Sequence, residues 1–138
     1  MQQRSISITQ FDRKRLDELL AVAEEFNYRD RSDLKRLAEE LNHGRLVDSR
    51  DVSPTVVTMN SRVRLRDLDT NEVMEYTLVF PKDAAIERGR ISVISPIGTA
   101  ILGYSFGDTI EWTVPAGKRR ITIEALLYQP EAAGDYHL

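Results

Sequence analysis

The stretch SPIGTAILG, from Ser95 to Gly103, is the segment that decides the fold of this chain. Pro96 has the fixed φ suited to a first helical position, Ser95 can cap the helix before it, and Gly103 stands where a left-handed residue would end it. The pattern predicts a helix of barely two turns with its Ser-Pro entrance at the surface. Because isolated helices this short are marginal in water, we expect it to pack on a sheet, through Ile97, Ile101 and Leu102.

Strand patterns lie on both sides of this helix. The run Val57 to Arg66 alternates with period two: one face holds Val57, Met59, Val63 and Leu65, and the other holds Thr58, Asn60, Arg62, Arg64 and Arg66. After a turn at 67–71, the inward residues of a partner strand are Met74, Tyr76, Leu78 and Phe80. Further strands are expected at Ile91–Ile94, Thr109–Val114 and Arg119–Tyr128. About five strands and a lone helix predict an α+β domain with a curved antiparallel sheet.

Two helical patterns precede the sheet. Thr9, with Asp12 three residues on, resembles a capping box. Apolar residues then recur at three- and four-residue steps, first as Leu16, Leu19, Leu20, Ala23 and Phe26, and then as Leu34, Leu37, Ala38 and Leu41. A connection of only four or five residues predicts an antiparallel helical hairpin, a short coiled coil over residues 1–50. The polar, proline-containing stretch from Leu46 to Pro54 marks the boundary to a second domain, residues 51–138.

The composition indicates an ordinary soluble protein. The 138 residues are 41% hydrophobic and 30% charged, with no cysteine. Since neither a membrane span nor a signal peptide is recognisable, we expect a cytoplasmic protein. The net charge is −3, and residues 1–50 hold ten Lys/Arg against ten Asp/Glu. Because no concentrated positive field is present, independent nucleic-acid binding is disfavoured and a protein partner is favoured.

Catalytic and ligand-binding motifs are missing from the sequence. No phosphate-binding, dinucleotide-binding, nucleophile-elbow or zinc-protease pattern occurs, and the two histidines, His43 and His137, lack metal-ligand spacing. We therefore expect no metal, no cofactor and no enzymatic activity. The enzymatic alternative is a prolyl isomerase whose proline pocket would be lined by Tyr76, Phe80, Tyr104, Phe106 and Trp112.

The order of a helical hairpin and a curved sheet, with SPIGTAILG and the Gly107-Asp108 turn, resembles the Gre family of bacterial transcription factors. The segments VVTMNSRVRLRD (56–67) and YQPEAAGDYHL (128–138) resemble the Gre-related regulators of nucleoside diphosphate kinase. The resemblance is close over residues 52–138 and only architectural over residues 1–50. It implies an FKBP-like second domain and binding to bacterial RNA polymerase near its secondary channel, as a regulator of transcription elongation.

The resemblance also implies site residues. Acidic residues at the hairpin tip, Asp30 and Asp33, would face the polymerase active-site magnesium or basic channel residues. The alternative is that Asp30 caps the second helix and Asp33 serves as an acid in its first turn. The docking surface would be Ser95, Pro96 and Ile97, although Ile97 could equally belong to the core. A possible basic surface is the row Arg62, Arg64 and Arg66, which could instead be a solvated strand face.

The length of the hairpin limits what it can reach. About seventeen residues per helix at 1.5 Å each give roughly 25 Å. Hairpins of the family that stimulate transcript cleavage are longer, so we expect this one to stop short of the catalytic centre. The chain should occupy the channel entrance and compete with longer factors without activating cleavage. We expect a monomer. The alternative of a protein-interaction module, with a dimerisation arm and no role at the polymerase, stays open because leucine stripes can also pair between chains.

Overall fold

The chain has a mixed α+β fold in which two helices precede a mostly antiparallel sheet. The computed structural model describes residues 6–25, 32–114 and 117–138, without the side chains of residues 23–25, 32–34, 36 and 112–114. We call α1 (Gln10–Glu25) and α2 (Ser32–His43) the arm. The part of the chain that carries the large sheet and α3 (Pro96–Ile101) is called the body.

The first helix begins where the sequence predicts. Thr9 Oγ1 accepts a hydrogen bond of 3.0 Å from the backbone N–H of Asp12, as an N-cap does. The Asp12 carboxylate accepts instead from the backbone N–H of Met59, at 2.9 Å. The N-cap half of the predicted capping box is thus formed, and the acid of the box is used to hold another segment.

The two helices of the arm run antiparallel. Arg13 Nη1 donates a 2.6 Å hydrogen bond to the carbonyl oxygen of Leu41, which places the start of α1 beside the end of α2. Leu16, Leu37 and Leu41 are all at most 1% exposed, so these members of both leucine stripes are buried within the chain. Hydrophobic burial on this facing side is what stabilises helices of this length.

Two short strands at the base of the arm are a feature that the sequence analysis missed. β1 (Ser7–Thr9) pairs in parallel with β2 (Arg45–Val47), in a two-stranded sheet. Each strand is only three residues long, so neither shows an alternation that could be recognised. The segment after α2 was expected to be a polar boundary, and part of it is this paired strand.

The body is a five-stranded sheet, ordered β5-β4-β3-β7-β6. Its strands are β3 (Arg62–Asp67), β4 (Val73–Val79), β5 (Arg90–Ser92), β6 (Thr109–Val114) and β7 (Gly117–Tyr128). All neighbours are antiparallel except β4 and β5, which are parallel. The expectation of a fully antiparallel sheet was wrong for this pair, which two 3₁₀ turns connect at Pro81–Asp83 and Ile86–Arg88.

The strand predicted to begin at Val57 begins only at Arg62. Asn60 has a left-handed φ of 67°, and the N–H of Ser61 bonds the carbonyl oxygen of Thr58, so a turn interrupts the extended pattern. Val57 and Met59 are fully buried as predicted, while Thr58, assigned to the outer face, is only 1% exposed. Polar and apolar residues alternate in this part of the sequence, but the backbone forms a turn there and not an extended strand.

A single core joins the arm to the body. Ile8, Leu16 and Leu41 belong to the same buried cluster as the sheet residues Leu65 and Ile123. A backbone hydrogen bond from Ser7 to the carbonyl oxygen of Gly103 adds a polar link between the base of the arm and the end of α3. The arm therefore rests on the body through continuous hydrophobic packing.

Candidate functional site

The entrance of α3 has the geometry that the sequence predicts. Ser95 Oγ accepts from the backbone N–H of Gly98 at 3.1 Å and donates to the carbonyl oxygen of Ser92 at 2.6 Å. Pro96, at the first helical position, is exposed, and Ser95 is half-buried. Ile97 is also half-buried and packs against the core, so only part of its side chain reaches the surface. Together these residues form one small feature that is partly exposed at the surface.

Close packing on the sheet fixes this entrance in place. A Cβ atom built on Gly98 would lie 2.1 Å from the carbonyl oxygen of Ser92, so only glycine allows this approach. Thr99 is fully buried and its hydroxyl donates to the carbonyl oxygen of Val93 at 2.7 Å. Gly103, at φ +83°, ends the segment in the left-handed conformation that the sequence indicates. The short helix is thus packed closely on the sheet, with its Ser-Pro N-terminus toward the surface.

The two predicted tip residues are Asp30 and Asp33. Asp30 is outside the described residues, and Asp33 lies in the first turn of α2 with its side chain outside them. The proposed contact with the polymerase and the alternative capping role of both carboxylates therefore remain predictions.

The arginine row of β3 lies on the outer face of the sheet and is paired within the chain. Glu75 accepts from Arg62 at 3.0 Å and from Arg64 at 3.4 Å, and the Glu124 carboxylate accepts two bonds from Arg66. The hydrogen bonds from Arg66 hold the pKa of Glu124 below its ordinary value. An external carboxylate or phosphate would have to compete with these partners.

The aromatic residues proposed for a proline pocket differ in their surroundings. Tyr76, Phe80 and Tyr104 pack partly against the core, whereas Phe106 is 56% exposed. The side chain of Trp112 is outside the described residues. A cavity of about 490 Å³ lies elsewhere on the body, and polar and charged residues such as Asn60, Arg62 and Asp83 form much of its lining. Among the described residues, no observation thus favours the isomerase alternative.

A charged pair within α1, whose buried member Asp12 also bonds the body, is the main feature that the sequence analysis did not identify. Asp12 is 1% exposed and its carboxylate accepts from Arg15 Nη2 at 2.5 Å. Burial raises the pKa of Asp12 to about 6, against the lowering effect of the Met59 N–H and the Arg15 guanidinium. The available signal was its position one turn before Leu16, on the same buried side of α1.

Within the described ranges, no helix combines the length and apolar character needed to cross a membrane.

Comparison with known proteins assigns both parts of the chain. The family model for the C-terminal region of the transcription elongation factors GreA and GreB matches residues 52–128, and the Rnk N-terminus model matches residues 4–47. The regulator of nucleoside diphosphate kinase from Escherichia coli K12 is 38% identical over the full length of both chains. A GreA from Chloroherpeton thalassium is 39% identical over 92 residues, 67% of this chain and 58% of that one.

A solved structure shows the same fold. It is described as a prokaryotic transcription elongation factor GreA/GreB from Nitrosomonas europaea and matches with a TM-score of 0.73 and 38% identity. The match covers 89% of this chain and 99% of that one. The predicted resemblance is confirmed: the chain belongs to the GreA/GreB family of transcription elongation factors, in the branch that includes the regulators of nucleoside diphosphate kinase.

Proposed function

We propose that this protein binds bacterial RNA polymerase at the secondary channel and regulates elongation by competing with longer Gre-type factors, without stimulating transcript cleavage. In this proposal it acts as a cytoplasmic monomer and catalyses no reaction. The body docks through Ser95, Pro96 and Ile97, and the arm enters the channel. Membership of the GreA/GreB family supports the kind of partner.

The length of the arm is the observation that carries the proposal. The longer helix, α1, has 16 residues, and α2 has 12. At about 1.5 Å per residue, α1 spans roughly 24 Å. The GreA alignment leaves about two fifths of that relative unmatched, since it covers 58% of its length. A short arm on a body of the same family would fill the entrance of the channel and leave its tip short of the catalytic centre.

The polymerase proposal is tested on backtracked transcription complexes. We expect the protein to bind purified polymerase, to reduce the cleavage stimulated by an added GreA, and to stimulate no cleavage itself. The double variant Asp30→Asn and Asp33→Asn is expected to compete as well as the wild type. Robust cleavage by the protein alone, lost in the double variant, would contradict the proposal.

The position of the arm is tested by crosslinking. A photoreactive probe at Val22, which is 50% exposed near the far end of α1, should label the rim of the channel. A probe at Glu72, which is exposed in the connection between β3 and β4, is the control and reports a position on the body. Labelling from Val22 beside the catalytic metal would show that the length argument is wrong.

A further inference from the structure

The C-terminal segment Gln129–Leu138, which we call the tail, lies beyond both family-model matches. The match to the GreA/GreB C-terminal model ends at residue 128, and the match to the Rnk N-terminus model ends at residue 47. The regulator of nucleoside diphosphate kinase aligns over its whole length, the tail included. We propose that the tail is a positioning element that holds the arm at a fixed orientation to α3, through its contact with Arg15.

The tail is firmly attached to the body. Gln129, which is 4% exposed, donates to the carbonyl oxygens of Ser53 and Val56 at 2.8 and 2.7 Å. Its side-chain oxygen also caps α4 (Pro130–Ala133), accepting from the N–H of Ala132. Buried side-chain bonds of this kind fix a segment because leaving the groups unpaired is costly. The tail thus starts from a defined position on the body.

Two further contacts continue this attachment along the tail. The hydroxyl of Thr58 donates to Glu131 Oε1 at 2.6 Å, and both side chains are buried. The hydroxyl of Tyr128 donates to the carboxylate of Asp135, and this bond raises the pKa of the tyrosine to about 12. The tail therefore packs along the body as far as Asp135.

The last residue of the tail touches the arm. The main-chain oxygen of Leu138 accepts from Arg15 Nη2 at 2.7 Å and from Asn60 Nδ2 at 2.9 Å. One oxygen atom thus joins α1, the loop before β3 and the tail. Asn60 can present its amide here because it adopts the left-handed backbone conformation, which asparagine tolerates better than most residues.

Arg15 contacts both the arm and the body. Its guanidinium lies 3.9 Å from the ring centroid of Phe11 and 4.9 Å from that of Phe80, one ring on the arm and one on the body. Its Nη2 also bonds the buried Asp12 carboxylate, which in turn holds the N–H of Met59. Arg15 Nε is buried without a hydrogen-bond partner among the described residues, so the side chain is placed by stacking and by its terminal nitrogen.

These contacts of Arg15 give the arm a defined orientation on the body, which hydrophobic packing alone does not give. Apolar contacts are non-directional, whereas a planar guanidinium held between rings and bonded to two oxygens has a defined direction. Because the arm and the entrance of α3 must meet the polymerase together in the function proposed above, their relative orientation affects binding.

Distance measurements on the free protein test the inference. The chain has no cysteine, so spin labels can be placed at chosen sites. One labelled pair, Val22→Cys with Glu72→Cys, spans arm and body. A second pair, Val22→Cys with Lys35→Cys, lies within the arm. The test variant is Arg15→Met, and Arg13→Met is its control because the described bonds of Arg13 stay within the arm, to Asp17 and Leu41.

A second variant removes the bond from Asn60 to Leu138, and so disturbs the end of the tail without changing Arg15. Asn60→Asp keeps the size of the side chain but places an oxygen opposite the Leu138 oxygen. Asn71→Asp is the matched control, since Asn71 also has a positive φ, of 64°, and lies at the turn before β4, where its side-chain oxygen accepts from Arg66.

The expected result is that Arg15→Met and Asn60→Asp broaden or shift the arm-to-body distance distribution, while the distribution within the arm stays unchanged. Both controls should match the wild type. A wild-type arm-to-body distribution in folded Asn60→Asp protein would overturn the inference, even if Arg15→Met does not fold. Because polymerase is absent from this measurement, its outcome is separate from that of the channel proposal.

Discussion

Asp12 is a buried side chain whose titration makes the stability of the fold depend on pH. Its carboxylate is almost fully buried beside Arg15, and desolvation is the largest influence on its pKa, which rises from 3.8 to about 6. The folded protein therefore keeps a proton that the unfolded chain releases between about pH 4 and pH 6. A group with a raised acid pKa contributes most stability below its unfolded value and loses that contribution as pH rises.

We predict that Asp12→Asn changes the pH dependence of unfolding. A shift of about two pKa units corresponds to about 3 kcal/mol. The free energy of unfolding of the wild type, relative to that of the variant, should fall by up to this amount between about pH 4 and pH 7. Denaturant unfolding of both proteins across this range measures it. Asp69 and Glu124, whose pKa values are lowered, titrate in both proteins and cancel in the difference. Parallel curves would contradict the prediction.

Pro96 is the residue on which the docking proposal depends most directly. It is exposed at the first position of α3 and is not one of the buried core residues. We predict that Pro96→Ala leaves the melting temperature nearly unchanged and weakens polymerase binding at least tenfold, about 1.4 kcal/mol. Pro81→Ala is the control, since Pro81 also begins a short helical turn on the body. Undiminished binding of the Pro96 variant would remove this residue from the docking surface.

At the scale of elements, α3 depends on a close approach to the sheet. The second residue after Pro96 is Gly98, whose absent Cβ leaves room for the carbonyl oxygen of Ser92. Six residues are too few to form a stable helix alone, so this contact and the cap at Ser95 determine whether α3 forms.

We predict that Gly98→Ala destabilises the protein by about 1–3 kcal/mol or more, because the new methyl group forces α3 away from the strand. Gly107→Ala is the comparison: Gly107 has φ +89°, but a Cβ atom added there would meet nothing within 4 Å, so only backbone strain of about 1–2 kcal/mol is expected. Thermal unfolding of both variants gives the answer. A smaller loss at Gly98 than at Gly107 would contradict the packing argument.

Elements with strong local signals were predictable. The proline, the serine cap and the glycine stop located α3 to within a residue or two, and the leucine spacing indicated both helices of the arm. The true start of β3 was not predictable, because the turn at Asn60 follows from a left-handed backbone that an alternating sequence does not reveal. The parallel pair of β1 and β2 arises from tertiary contact between residues nearly forty positions apart.

At the scale of the whole molecule, arm and body share one core. Leu16 of α1 is fully buried in the same cluster as Leu65 of β3. Side chains that bury each other should unfold together, so the arm is not expected to melt separately. We therefore expect the proposed docking residues of α3 to unfold together with the helices of the arm.

We predict that Leu16→Ala lowers the free energy of unfolding by about 2–5 kcal/mol and that signals from arm and body shift together. Far-UV circular dichroism reports mainly the helices, and the fluorescence of Trp112, the single tryptophan, reports β6. Coincident denaturation curves are expected in both wild type and variant. A helical transition that precedes the fluorescence transition would show that the arm unfolds independently.

The candidate site was only partly accessible to sequence reasoning. The entrance of α3 could be located because its residues are contiguous. The contacts of Arg15 with Phe80 and Leu138 could not, since these partners approach Arg15 only through the fold. The sequence indicates which face of α1 a side chain occupies. It does not indicate that Arg15 will bond the oxygen of Leu138, because the topology of the fold determines that contact.

The parallel pairing of β1 with β2 has a consequence for the length that the arm of this chain can have. β1 precedes α1 and β2 follows α2, so their pairing joins the two ends of the arm. This pairing does not depend on the number of residues in the arm. Whole helical turns could be added to or removed from the far end of the arm, and the pairing of β1 with β2 would be kept. The body of this chain could therefore carry an arm of a different length without a change in its own packing.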